Sequence, residues 1–262
     1  MADDPATIEA LLFDLDGVLY VGGQKIPGAV ETLEFCQEQN LPFRFITNTS
    51  TRTLSAIAEK LNAMGIPIAP EMIFSAVSAT RDFLFQQGSP SVHLLVRDEV
   101  KLEFAEFEQN SPDPDFVVVG DIGAAWDYEM LNGVFNELMN GAQLVAMHRN
   151  KYWLTDEGLQ MDIGAFVAGL EYVCGKQATI IGKPSSQFFN LALNALGTDS
   201  DSTAIVGDDI ENDIAGGNRN GLQSIMVKTG KYRQDVFDAA NTNPDYLIDS
   251  IADLPALLRG VL

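Results

Sequence analysis

The 262 residues include 37 Asp and Glu against 16 Lys and Arg, a formal net charge of −21. So acidic a chain argues against a nucleic-acid clamp or a binder of anionic membranes, both of which rely on basic patches. At 46% hydrophobic and 20% charged residues it is composed like a folded globule with a sizeable core, and its length suits one large domain or two of roughly 100–200 residues.

In chain order, short β-branched apolar runs alternate with stretches of helical periodicity, the pattern of parallel α/β layering. Ile8 to Phe13 reads as a buried strand, followed by a polar loop, Pro27-Gly28, and a helix through Ala29, Val30, Leu33 and Phe35 that ends near Asn40. Phe43 to Ile46 is a second strand, Thr47-Asn48-Thr49-Ser50 a polar turn, and Leu54, Ile57, Ala58 and Leu61 mark a helix stopped by Gly65. A second series begins near residue 80: strands at Val92 to Val96, Phe116 to Val119 and Leu144 to Met147, with helices at Glu99 to Phe107, Glu129 to Met139 and Ala165 to Val173. The strand Ala178 to Ile181 then delivers Gly182-Lys183-Pro184, and alternation resumes with a helix at Gln187 to Leu196, a strand at Thr203 to Val206, a helix near Asn212 to Arg219, a strand at Gln223 to Val227 and a short pair beyond Pro244.

Two cysteines, Cys36 and Cys174, without Cys-x-x-Cys spacing indicate neither a disulfide framework nor a thiolate zinc site. The acidic start Met1-Ala2-Asp3-Asp4-Pro5 is unlike a secretory leader, and no apolar run approaches the ~18 residues that cross a bilayer. A soluble, cytoplasmic protein is expected.

Four places put reactive groups just beyond a strand, where open α/β sheets bind ligands. Asp14 and Asp16 in Phe13-Asp14-Leu15-Asp16-Gly17-Val18 leave the first strand two residues apart, on one side if the strand runs through both. Such a pair shares a proton or holds a cation, and oxygen donors favour magnesium. Thr47-Asn48 offers hydroxyl, amide and backbone N–H groups opening a helix, suited to an anion. Lys183 is a lone cation beside Pro184, and Gly207-Asp208-Asp209-Ile210-Glu211-Asn212-Asp213 is an acidic turn. Singly these read as a tight turn, a helix cap, a solvated lysine and an acidic helix start. Together, with complementary charges, they point to one site.

In this order the segments resemble the haloacid dehalogenase-like phosphatases: Asp14-Leu15-Asp16-Gly17-Val18 their first motif, Thr47-Asn48 the second, Lys183-Pro184 the third, Gly207-Asp208-Asp209 with Asp213 the fourth. Ile205 to Asp209 and Val227 to Tyr232 carry further similarity. The long gap between Asn48 and Lys183 resembles the IIA subclass, which houses a C2-type cap there. The resemblance implies an α/β Rossmann-like doubly wound core, residues 1–80 and 180–262, with an inserted α/β cap, 81–179. It implies Asp14 as nucleophile forming an aspartyl-phosphate and Asp16 as general acid and base. Mg2+ is implied on the Asp14 side chain, the Asp16 carbonyl and Asp208. Leu15, Thr47, Asn48 and Lys183 would hold the phosphoryl group, with Asp209 and Asp213 supporting the metal waters and Lys183. Some members carry Ser in place of Asp16, and its retention here favours a competent phosphomonoesterase.

The expected substrate is a small phosphorylated metabolite, with inorganic pyrophosphate or a phosphoamide as the enzymatic alternative and a phosphoacceptor regulatory module as the non-enzymatic one. The size of the insertion speaks against the last. Gly-x-Gly-x-x-Gly, P-loop and Gly-x-Ser-x-Gly segments are absent, which disfavours dehydrogenase, kinase and serine hydrolase chemistry. Within the cap, His148, Arg149, Tyr152 and Trp153 form a cationic and aromatic cluster that either selects the substrate or is an exposed strand pair. His93 lies inside an apolar strand and reads as structural. The resemblance allows a cap-mediated homodimer, and the charge suggests adaptation to salt.

Overall fold

The computed structural model describes residues 7–155 and 158–260. It divides into two compact units, one of Met1–Thr47, Leu54–Phe74 and Lys183–Leu262, the other of Asn48–Thr53 and Ser75–Gly182. The breaks at 74/75 and 182/183 differ by a few residues from the 80/81 and 179/180 read from sequence, and the second unit also takes the short segment after Thr47.

The first unit is built on a six-stranded sheet in the order Tyr246–Ile248, Gln223–Val227, Thr203–Gly207, Ala10–Asp14, Phe43–Thr47, Ile73–Ser75. Ala10–Asp14 pairs in parallel on both sides, Phe13 opposite Val206 and Asp14 opposite Ile46. Every residue of Ala10–Asp14 and Thr203–Gly207 is buried, which is why these strands read as continuous apolar runs. From the central first strand the chain winds outward through Phe43–Thr47, then returns to Thr203–Gly207 on the other side. The switch point lies at the carboxyl ends of Ala10–Asp14 and Thr203–Gly207, where a doubly wound sheet opens a crevice. Phe13 anchors the core beneath it, its ring edge-on to Phe43 at 5.8 Å.

The second unit has its own four-stranded sheet, in the order Thr179–Ile180, Gln143–Ala146, Phe116–Val119, Val92–Leu95, all parallel. Val117, Val119 and Leu144 pack with Val134 and Leu138 of the helix Tyr128–Asn140 and with Val167 and Leu170 of the helix Gly164–Cys174. An antiparallel pair, Tyr152–Thr155 with Gly158–Met161, accompanies this sheet.

Several elements depart from the sequence reading. The polar loop after the first strand contains a small hairpin, Tyr20–Val21 with Gln24–Lys25. The helix expected over Glu99 to Phe107 is α-helical only at Asp98–Lys101 and then tightens into a 3₁₀ turn, Leu102–Phe104. Val100, Phe104 and Phe107 are all buried while Leu102 points to solvent, so the chain follows its anchors rather than a regular 3.6 period. The strand Ile73–Ser75 and helix Ala76–Gln86 escape the periodicity because the strand passes directly into the helix without a loop. The cap is Ser75 with Ser78 at the third helical position, where the usual box has Glu or Gln. The polar turn at Thr47-Asn48 does not open a helix, since the next one starts at Leu54. Lys183 follows a strand of the second unit's sheet, not a core strand.

Candidate active site

The first strand ends at Asp14, so Asp16 lies in a turn beyond it rather than on the same strand face. Gly17 N–H donates to the Tyr20 carbonyl at 2.7 Å and Leu19 N–H to that of Leu15 at 2.9 Å. Gly17 has φ +87°, and a Cβ there would strike the Asp208 carboxylate, so only glycine closes this turn. The Leu15 side chain is sunk in the core, which leaves only its backbone to meet a ligand.

Asp14 is buried, and its Oδ1 accepts a hydrogen bond from Lys183 Nζ at 2.6 Å. The same ammonium donates to Asp213 Oδ1 at 2.7 Å. With 3% of its surface exposed, Lys183 pays for desolvation, yet the two carboxylates outweigh that cost and hold its pKa above the ordinary lysine value. Asp213 is delivered by a wide helical turn, Ile210–Ile214, which precedes the helix Ala215–Arg219; the helix expected near Asn212 therefore begins as a π-type turn. Asp209 caps that turn, its Oδ1 accepting from Glu211 and Asn212 N–H at 3.0 Å each, and its Oδ2 lies 3.0 Å from Lys231 Nζ. Burial works against the Asp209 charge, but Lys231 and the Asn212 N–H more than offset it and lower the pKa.

Asp208 is the most exposed to conflict. Burial, then the charges of Asp14 and Asp213, push its carboxyl well above the usual range, with Lys231 opposing. Asp213 is likewise pushed up to about 6, first by burial, with Lys183 opposing and Asp14 and Asp209 adding to the rise. Asp208 Oδ2 accepts from Lys231 N–H at 2.6 Å, while Oδ1 is buried with no hydrogen-bond partner among the described residues. Oxygens of Asp14, Asp208 and Asp213 lie within 4.8 Å of one another. An unpartnered buried carboxylate oxygen among like charges is the environment that a hard divalent cation relieves, so the donors present fit magnesium. Asp16 has an exposed outer edge, but the protein around its carboxyl raises its pKa, against the pull of Lys60, Lys231 and the Gly17 N–H.

Thus Asp14, Asp16, Lys183, Asp208, Asp209 and Asp213 gather in the first unit. Thr47 is buried at the end of Phe43–Thr47, the strand beside Asp14. Asn48 opens the segment held by the second unit, its amide close against Gly182. Of the cap cluster, His148 is buried with Nε2 3.1 Å from Ser50 Oγ, and Arg149 pairs with the buried carboxylate of Glu171 at 2.6 Å. Tyr152 is exposed, and the Trp153 side chain lies outside the described residues. His93 is half-exposed, its Nδ1 2.7 Å from Glu137.

Sequence reasoning assigns no role to Thr229, Gly230 and Lys231, although they touch both the Gly17 turn and Asp208. Their signal is a cation in an acidic chain, just after the strand Gln223–Val227 beside the site.

Residues 11–109 match the family model described as haloacid dehalogenase-like hydrolase, and residues 180–254 match a second model of the same kind of hydrolase. Haloacid dehalogenase-like hydrolase domain-containing protein 2 of Bos taurus is 35% identical over 237 residues, 90% of each chain. Phospholysine phosphohistidine inorganic pyrophosphate phosphatase of Homo sapiens is 32% identical over 259 residues, 97% of this chain and 95% of that one. Among solved structures, NagD from E. coli K-12 superposes with a TM-score of 0.87 at 29% identity, covering 94% of this chain and 98% of its own. The 4-nitrophenylphosphatase of Thermotoga maritima does so at 0.89 and 28%, covering 95% and 97%. The gathered acidic site, the doubly wound sheet with its inserted α/β unit and matches along nearly the whole length lead to one assignment: the chain belongs to the haloacid dehalogenase-like hydrolase family.

Proposed function

We propose that the protein is a magnesium-dependent phosphatase that hydrolyses small phosphate monoesters through an aspartyl-phosphate. The observation that carries this reading is Asp14, its Oδ1 on Lys183 and its carboxylate clustered with that of Asp208, whose Oδ1 has no hydrogen-bond partner among the described residues. Magnesium would be held by the Asp14 side chain, the Asp16 carbonyl and Asp208, and would supply charge neutralisation that lets one anion approach another. Asp14 attacks phosphorus, forming its acyl–phosphate bond as the bond to the leaving oxygen breaks. Asp16, with its raised pKa, gives that oxygen a proton and then takes one from the water that cleaves the acyl–phosphate. Lys183 orients Asp14 and, with Thr47, Asn48 and the Leu15 backbone, holds the phosphoryl oxygens. Asp213 and Asp209 keep Lys183 and the acidic turn in place.

The second unit acts in this reading as a C2-type cap that selects the ester, with Tyr152 and Arg149 exposed members of the aromatic and cationic cluster. Pyrophosphate or a phosphoamide is the second reading, favoured by the human relative's name and its 97% coverage of this chain. A purely regulatory phosphoacceptor is set aside, because the family is one of hydrolases.

Phosphate release from a panel of monoesters, pyrophosphate and phospholysine, with magnesium and with EDTA, tests both. Magnesium-dependent release from monoesters supports the first reading and preference for pyrophosphate or phospholysine the second. Silence from folded protein, or release unaffected by EDTA, contradicts both.

A further inference from the structure

The segment Thr229–Lys231 lies outside the four motif segments yet contacts two of them. Thr229 Oγ1 donates to the Gly17 carbonyl, tying the segment to the turn that follows Asp14. Gly230, at φ +60°, packs so closely that a Cβ would strike both Gly17 Cα and the Asp208 carboxylate. Lys231 then gives its N–H to Asp208 Oδ2 at 2.6 Å and its ammonium to Asp209 Oδ2 at 3.0 Å. One oxygen of Asp208 is therefore occupied and the other, Oδ1, is left buried without a partner among the described residues.

We infer that Thr229–Lys231 is a positioning element for the metal site: it fixes Asp208 by Oδ2 and so presents Oδ1 alone to the cation. The hydroxyl of Thr229 holds the close approach, Gly230 permits it and the Lys231 N–H makes the contact. None of the three touches the reacting atoms. Partners that orient a metal ligand typically contribute about 10–100-fold to metal affinity or activity. Thr229 is suited to a test, since Val keeps its shape and removes only the hydroxyl.

This inference rests on the magnesium reading above, and the experiment separates the two. Magnesium binding is measured by calorimetry on the wild-type chain, Thr229→Val and Thr229→Ser, with thermal midpoints in EDTA. Kinetics accompany these, with KM for the ester and kcat at saturating and limiting metal. The expected result is a magnesium Kd raised roughly 10-fold or more in Thr229→Val and restored in Thr229→Ser, with KM for the ester and the EDTA midpoint near wild type. Should Thr229→Val lose its fold, Thr229→Ala, which also lacks the hydroxyl and adds no bulk, takes its place, with the same rise in Kd expected. A wild-type Kd in either folded variant overturns the positioning role alone. No magnesium binding by the wild-type chain overturns the magnesium reading itself.

Discussion

The two parallel sheets of this molecule end differently at their carboxyl edges. In the first unit that edge gathers Asp14, Asp208, Asp209 and Asp213 around Lys183 and Lys231, leaving Asp208 Oδ1 without a partner among the described residues. In the second unit that edge is tied together by contacts within the unit's own chain. Ser50 Oγ accepts from Asp121 N–H at 3.1 Å, meets His148 Nε2 at 3.1 Å, and Asn48 packs on Gly182. Sheet topology thus locates an edge where a site can form, and the side chains placed there decide whether it does chemistry or packing.

Substitutions on the two edges should therefore fail in different ways. Asp14→Asn removes the proposed nucleophile while keeping the side chain's size, so turnover should fall by at least about 10³-fold with the circular dichroism spectrum unchanged. Ordinary turnover by a correctly folded Asp14→Asn chain breaks the comparison outright. Lys183→Met leaves the buried carboxylates of Asp14 and Asp213 without their cation, and chemical denaturation in EDTA should show a loss of about 3–5 kcal/mol. On the second unit's edge, His148→Leu leaves the buried Ser50 hydroxyl short of a partner and should cost about 1–3 kcal/mol, with magnesium affinity unchanged. A changed magnesium Kd in that variant would tie His148 to the metal site and contradict its packing role.

Smaller effects come from pH and salt. Asp208 and Asp213 bind protons more tightly folded than unfolded, so in EDTA their contribution to stability is complete below the unfolded carboxyl pKa, about 4, and declines as pH rises towards 6, where Asp213 ionises. The thermal midpoint in EDTA should accordingly be lower at pH 7 than at pH 5, with magnesium narrowing the gap. A midpoint that rises over this window without metal removes the electrostatic account of the site. Because the chain carries a net charge of −21, added potassium chloride should raise the midpoint slightly by screening. A fall would remove the saline interpretation.

How much of this is readable in the sequence follows from where each signal resides. The buried strands Ala10–Asp14 and Thr203–Gly207 announce themselves as apolar runs, and the acidic residues that follow them mark the crevice. Asp14, Lys183, Asp208 and Asp213 are legible because charge placed after apolar runs is costly without function. Thr229 and Gly230 are not, because a hydroxyl bonded to a distant carbonyl and a glycine that admits another chain leave no periodic trace. His148 misleads for a related reason: a histidine beside Arg149 and Tyr152 looks exposed, and only tertiary structure shows it turned inward onto Ser50. Local capping is equally hidden at Ser75, where a serine replaces the usual acidic partner.

The central claim is that Asp14 carries the phosphoryl group during turnover. Rapid acid quench during hydrolysis of the best panel substrate, followed by borohydride reduction and peptide mass spectrometry, reads this directly. The account predicts conversion of Asp14 to homoserine in the presence of magnesium and none in EDTA or in Asp14→Asn. Active turnover with no trapped acyl–phosphate, or trapping at another residue, would contradict it.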